Sequence, residues 1–147
     1  INMHKIMRWD ILENEYRDFF MVMKPPTVTA QEKRWRCQNG KPVAYDDKRL
    51  LAAREKLRAN LLRYIAPDTE PYDKAVELVV KWCFPLAQGH GDGEWYAKKP
   101  DTDNLQKMLK DVMTECGFWR DDCLVTSEIV QKFYAEIPGI YVAIREL

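Results

Sequence analysis

Apolar and polar residues alternate with period two in some stretches of the chain and follow the helical period in others. Over residues 75–84, Val76, Leu78, Val80, Trp82 and Phe84 point one way while Glu77, Lys81 and Cys83 point the other, which predicts a half-buried strand. Ile140, Val142 and Ile144 alternate with Tyr141, Ala143 and Arg145 in a last strand. The Pro138-Gly139 turn is expected to join that strand as a hairpin to one over residues 124–134, where Val125, Ile129 and Phe133 are apolar. The run FFMVM at 19–23, closed by Lys24-Pro25-Pro26, predicts a buried first strand with an extended exit. Two segments have the helical period. Asp46 or Asp47 can cap a helix running to about residue 65, with Leu50, Ala53, Leu57, Leu61 and Tyr64 on its buried face. The second covers 104–116, with Leu105, Leu109, Val112 and Cys116 as its stripe, Asp103 as N-cap and Gly117 as C-terminal stop. The expected class is α+β: two main helices packed on a mainly antiparallel mixed sheet.

Between these elements the pattern weakens. Residues 1–17 scatter Ile6, Trp9, Leu12 and Tyr16 among charges and read as a short helix or an irregular arm, a possible N-terminal extension. PPTVTAQEKRWRCQNGKP has too many breakers for regular structure and reads as a long loop of the kind that carries function. QGHGDG at 88–93 breaks the strand before it, and 95–99 returns as a short strand or loop.

At 147 residues the chain is expected to form one domain with its own core. A charged fraction of 31% and the absence of a long apolar run argue against a membrane span, and the start lacks the apolar segment of a secretory signal; a cytoplasmic location is the expectation. Cys37, Cys83, Cys116 and Cys123 form no CxxC pair, so reduced structural thiols are favoured over a zinc site. Formal net charge is zero, but between Lys24 and Arg63 eleven Lys or Arg face four Asp or Glu, a local excess of seven positive charges. Such a half suits polyphosphate, although a solvated helix face has the same composition. Within it Lys33, Arg34, Trp35 and Arg36 interleave cations with an aromatic ring, a pattern suited to phosphate contact and base stacking. Lys98 and Lys99 add two cations just before the second helix.

The chemistry-bearing stretch is 98–122, KKPDTDNLQKMLKDVMTECGFWRDD. Asp101 and Asp103 stand two apart beside Pro100, and extended backbone there turns both carboxylates to one side. Such oxygens suit hard divalent cations. If the chain doubles back after Gly117, six extended residues just span the helix and bring Asp121 or Asp122 to the same place. Lys107, one turn after Asp103, would overlook the cluster; an ordinary i,i+4 surface ion pair is the plainer account of it. Metal-dependent phosphodiester hydrolysis, metal-assisted transfer from a nucleotide sugar, and a non-catalytic DNA-binding module are all compatible with an Asp-x-Asp pair. The short chain and missing βαβ pattern weigh against the second.

Taken together, KPDTDNLQK, the helix that follows and the DD pair resemble the RusA-like Holliday-junction resolvases, most clearly over 99–125. The Pro-Pro loop, the first helix and the expected closing hairpin extend the likeness across most of the chain. The resemblance implies a homodimeric endonuclease that uses Mg²⁺ or Mn²⁺ to place paired nicks at a four-way DNA junction. It places that family's catalytic aspartates on Asp101, Asp103 and Asp122 and its lysine on Lys107. Asp121 would share metal binding or only steady the turn. A related branched-DNA or flap nuclease is the alternative. Residues 88–98 and 1–17 stand as additions to the family pattern.

Overall fold

A computed structural model describes residues 16–29, 34–45 and 47–147. Residues 1–15, Lys33 and Asp46, each of which figures in the sequence-based expectations, lie outside the described residues. The elements in order are β1 (Arg17–Val22), β2 (Arg34–Gln38), β3 (Lys41–Tyr45), α1 (Lys48–Leu61), β4 (Val76–Pro85), α2 (Thr102–Cys116), β5 (Val125–Ala135) and β6 (Gly139–Glu146). Strands β1, β6, β4 and β5 form a mixed sheet in that order, and β2 with β3 forms a separate ribbon. Two helices on a mixed sheet give the α+β class read from the sequence.

Both helices cover one face of the sheet. Leu50, Leu57 and Leu61 of α1 and Leu105, Met108, Leu109, Val112 and Met113 of α2 share a core with Met21, Leu78, Val80, Trp82, Ile140 and Val142. Asp47 caps α1, its Oδ1 accepting from Arg49 N at 2.7 Å. Gly117 ends α2 at φ +87°, a left-handed conformation that suits glycine. Arg54 and Arg58 of α1 reach Glu115 of α2 at 2.7 and 3.3 Å, crossing the helix pair at its exposed edge. No described helix is long and apolar enough to cross a membrane.

Strand β4 has the orientation its alternation predicts, but it is not half-buried. Val79, Lys81 and Cys83 on its other face are as covered as Val80 and Trp82. The cause is its central place: β6 and β5 flank it, and Tyr141, Ala143, Ile129, Phe133 and Phe20 build smaller apolar clusters on that second face. Period-two alternation reports which way a side chain points, not whether that side meets solvent.

Strands β5 and β6 are not a hairpin. β5 runs parallel to β4 with Val80 opposite Val130, while β6 runs antiparallel to β4 with Val80 opposite Val142. Residues 136–138 therefore step over the end of β4. Two strand spacings are about 9.6 Å, within reach of so short a connection. Gly139, the first residue of β6, has no room for a side chain: an added Cβ there would collide with the Phe20 ring and the Met21 carbonyl of β1.

The stretch 25–42, expected to be an irregular loop, contains β2 and part of β3. Asn39 at φ +51° and Gly40 at φ +73° supply the two left-handed positions of a tight hairpin turn. Residues 93–96 also add regular structure. Gly93 N donates to Tyr134 O (2.7 Å), Tyr134 N to Glu94 O (2.8 Å) and Tyr96 N to Lys132 O (3.0 Å), laying the segment along the upper edge of β5.

Candidate active site

Pro100 is buried, and Asp101 after it has extended backbone (φ −70°, ψ 151°) before α2 starts at Thr102. Asp101, not Asp103, is thus the cap residue: its carbonyl accepts from Leu105 N at 3.1 Å, and Asp103 sits in the first turn. Local propensity allows either residue at the cap; the extended backbone at Asp101 decides it. Asp101 makes no side-chain capping bond. Both residues are exposed and line one cleft of about 340 Å³ with Lys99 and Pro100 of the preceding loop and Asn104 of the first helical turn. Thr27 and Thr29 complete the lining. The Pro-Pro segment carries these two threonines to the helix start, a contribution the sequence reading missed. Its only signal was the extended exit after β1.

One buried and one more exposed anchor fix the helix start. Trp82 Nε1 of β4 donates to Gln106 Oε1 at 2.8 Å, less than one turn beyond Asp103. Glu128 of β5 pairs with Lys110 at 3.1 Å and accepts from Gln106 Nε2 at 3.4 Å. Lys132, also on β5, donates to Lys98 O at 2.6 Å and to Pro100 O at 2.8 Å, tying down the backbone just before Asp101. Gln106, Glu128 and Lys132 were not singled out from the sequence, because a charged or amide residue inside a strand or helix reads as surface until the opposing element is placed.

Lys107 is 68% exposed and lies 3.8 Å from Asp111, its i+4 neighbour. Its described ion pair is the ordinary surface kind. Lys98 and Lys99 are exposed beside the cleft. Arg34 opens β2, and Trp35, 69% exposed, and Arg36 follow on the same ribbon.

Within one chain Asp121 and Asp122 do not join Asp101 and Asp103. The residues after Gly117 do not run back along the helix. Phe118 and Trp119 turn into the core, with Tyr72 N donating to Phe118 O and Arg120 N to Tyr72 O, both at 3.0 Å. A short 3-10 turn, Asp122–Leu124, then leads into β5 opposite Val76. The return is made only by β5 itself, and the seven residue steps from Val125 to Lys132 separate the two ends by about 23 Å. The fifteen residues of α2 give about 22 Å. Among the described residues, no three His, Cys, Asp or Glu side chains converge as a metal site. Asp121 steadies the turn: its Oδ1 accepts from Cys123 N at 2.9 Å. That backbone bond, with help from the Cys123 and Asp122 side chains, holds its carboxyl below the usual range. Asp122 lies beside it, half-buried.

An acidic pair at a helix start, with Lys98 and Lys99 just before it, offers hard oxygen donors and, at Lys99, positive charge side by side in one cleft. The chain matches the family model Endodeoxyribonuclease RusA over residues 24–145 and belongs to that family. It is also 28% identical over 128 residues to the crossover junction endodeoxyribonuclease rusA of Lactococcus phage r1t, covering 87% of this chain and 95% of that protein.

Proposed function

We propose that the protein is a metal-dependent, structure-selective endodeoxyribonuclease that resolves four-way junctions in cytoplasmic DNA by paired nicks, working as a C2 dimer. The observation that carries this reading is the cleft in which Asp101 and Asp103 stand together beside Lys99 in a chain of the RusA family. The donor set fits Mg²⁺ or Mn²⁺. Hard carboxylate oxygens line one side of a solvent-open cleft, and Mg²⁺ is commonly held by only one or two carboxylates together with substrate phosphate. Bound there, the ion would polarise the scissile phosphate and offset the charge that develops on it.

The chain's own residues supply the rest. Asp101 and Asp103 would hold the cation, and Lys98 and Lys99 attract and orient the DNA backbone. Lys132 and Gln106 are positioning residues, holding the loop and the helix start against the sheet. Asp122, and Asp121 if it shares in metal binding, act a helix length away. In a two-fold dimer with antiparallel α2 helices, the acidic end of one subunit meets the carboxylate cleft of the other. Each of two active sites would then be composite, which suits a substrate that must be cut symmetrically in two places. Lys107, on the exposed side of α2, would face the phosphate from this arrangement. The ribbon β2–β3 contributes Arg34, Trp35 and Arg36 to DNA contact, with Lys33 preceding it.

The test is incubation with a synthetic four-way junction, a flap and linear duplex, with Mg²⁺ and with EDTA. Paired symmetric nicks confined to the junction and dependent on the metal are expected. Preferential cutting of the flap would favour a related branched-DNA nuclease, and full activity in EDTA would remove the metal from the reading.

A further inference from the structure

Beside the carboxylate cleft lies a second, smaller cavity of about 190 Å³. Its inner wall is aromatic. Phe84 and Tyr96 stack with centroids 4.0 Å apart and planes 12° from parallel, and Tyr134 meets Tyr96 edge-on at 4.8 Å. Phe84 and Tyr134 are each 2% exposed, so the wall is part of the folded core and is already formed before any ligand arrives. The mouth has the opposite character: Lys24 and Lys98 are exposed on it, as is Ala87.

An apolar molecule would need the wall but not the lysines, and a free phosphate the lysines but not the wall. A nucleotide uses both. The cavity is smaller than the roughly 300 Å³ at which pockets for drug-sized ligands begin, leaving room for one flat ring and not for a base pair. Its place is equally restrictive. Thr27 lines both cavities, and Lys98 at this mouth is separated from Asp101 only by Lys99 and Pro100. An occupant here is a close neighbour, along the same strand, of a phosphate held at Asp101 and Asp103.

Resting on the junction-resolving reading, we propose that this cavity is a base-binding subsite. One unstacked base next to the scissile phosphate seats against the Tyr96, Phe84 and Tyr134 wall while its phosphates lie on Lys24 and Lys98. Unstacking is least costly where pairing is already interrupted, as at the crossover of a junction. The subsite therefore reads both the branch and the base beside the cut.

Two measurements on the full chain test this. In the first, Asp103→Asn protein, expected on that reading to bind without cutting, is mixed with junctions carrying 2-aminopurine at successive positions around the crossover. One position next to the cut should change emission on binding, and adding Ala87→Trp, which fills the mouth from an exposed position, should abolish the response. In the second, the otherwise unmodified protein cuts a pool of junctions randomised at that position. It should favour one base on the order of tenfold, the scale of a single base–aromatic stack, and Ala87→Trp or Tyr96→Leu should level that preference. Thermal melts accompany each variant, and if Tyr96→Leu fails to fold, Ala87→Trp still decides. An even aminopurine response at all positions, or a base preference that survives Ala87→Trp, overturns the subsite while leaving junction resolution intact. Failure of the unmodified protein to bind or nick any junction overturns both readings.

Discussion

Lys132 Nζ on β5 donates to the carbonyl of Pro100, 2.8 Å away, and to that of Lys98, and its charge lies 5.7 Å from the centre of the Tyr96 ring. A strand in the sheet thereby sets where the backbone stands one residue before Asp101. Lys132→Met keeps the length of the side chain and leaves both carbonyls without their donor. The expected stability loss is about 1–3 kcal/mol, read by denaturant melts. Single-turnover nicking should slow by about 10–100-fold through displaced Asp101, with junction affinity nearly unchanged. Lys132→Arg should recover part of the rate. An equal loss of affinity and rate would instead make Lys132 a DNA contact.

How far the sequence could go is visible in α2 and its surroundings. The helix, its buried stripe and its glycine stop are local features, written in spacing and in the need for a positive φ, and they were legible. Asp101, Asp103 and Lys99 do line one cleft because they are close in sequence, although Asp103 is helical and the extended backbone expected to align the two carboxylates ends at Asp101. What else failed was non-local. Chain length allowed Asp122 to reach Asp101, but the burial of Phe118 and Trp119 sent the chain elsewhere, and burial depends on what lies opposite. The same holds for β5 and β6, whose short turn suggests a hairpin until β4 claims the place between them. Lys132 and Gln106 had no local signal at all.

The ribbon β2–β3 stands apart from the main sheet, with Trp35, Arg36 and Lys41 exposed. If it lies on DNA, Arg36→Ala with Lys41→Ala should flatten the dependence of log affinity on log salt by about 0.9 for each phosphate no longer neutralised. Trp35→Ala should weaken binding by about 1–3 kcal/mol if the indole stacks on a base. Anisotropy titrations across a salt series read both. A slope unchanged by the double substitution would place the DNA on another surface.

Glu77 on the second face of the sheet is 12% exposed. Tyr16 and Ser127 hydroxyls donate to it, and Arg145 Nε lies 3.0 Å away. The Tyr16 bond first, then Ser127 and Arg145, hold its carboxyl below the ordinary value of 4.5. A depressed folded value means this stabilisation is present above the unfolded value and is lost as pH falls through the folded one. Melting temperature should therefore drop on acidification below about pH 4.5, the unfolded value. Glu77→Gln should be less stable at pH 7 by about 1–3 kcal/mol, and its deficit should shrink at acid pH. A deficit constant from pH 7 to 3 would show that packing rather than charge is responsible.

The separation of Asp103 and Asp122 by the length of α2 makes the arrangement of the dimer testable without a structure of the complex. Asp103→Asn and Asp122→Asn proteins should each bind junctions and each fail to nick them. Co-expressed, they form mixed dimers. If an active site pairs Asp103 of one subunit with Asp122 of its partner, one site in each mixed dimer carries both native aspartates and the other carries both asparagines. Activity should then return as a single nick per junction, seen on a denaturing gel as one cut strand rather than a symmetric pair. If each site lies within one subunit, both sites of every mixed dimer are broken and the mixture stays inactive. The reciprocal experiment has the opposite sign. A subunit carrying both substitutions, paired with an unsubstituted one, has two broken sites in the composite arrangement and one intact site in the other. Restored nicking in the first pairing together with silence in purified mixed dimers of the second is the composite outcome. The reverse pattern would place each active site within a single subunit, and α2 would then have to bend or shift for Asp122 to reach Asp103.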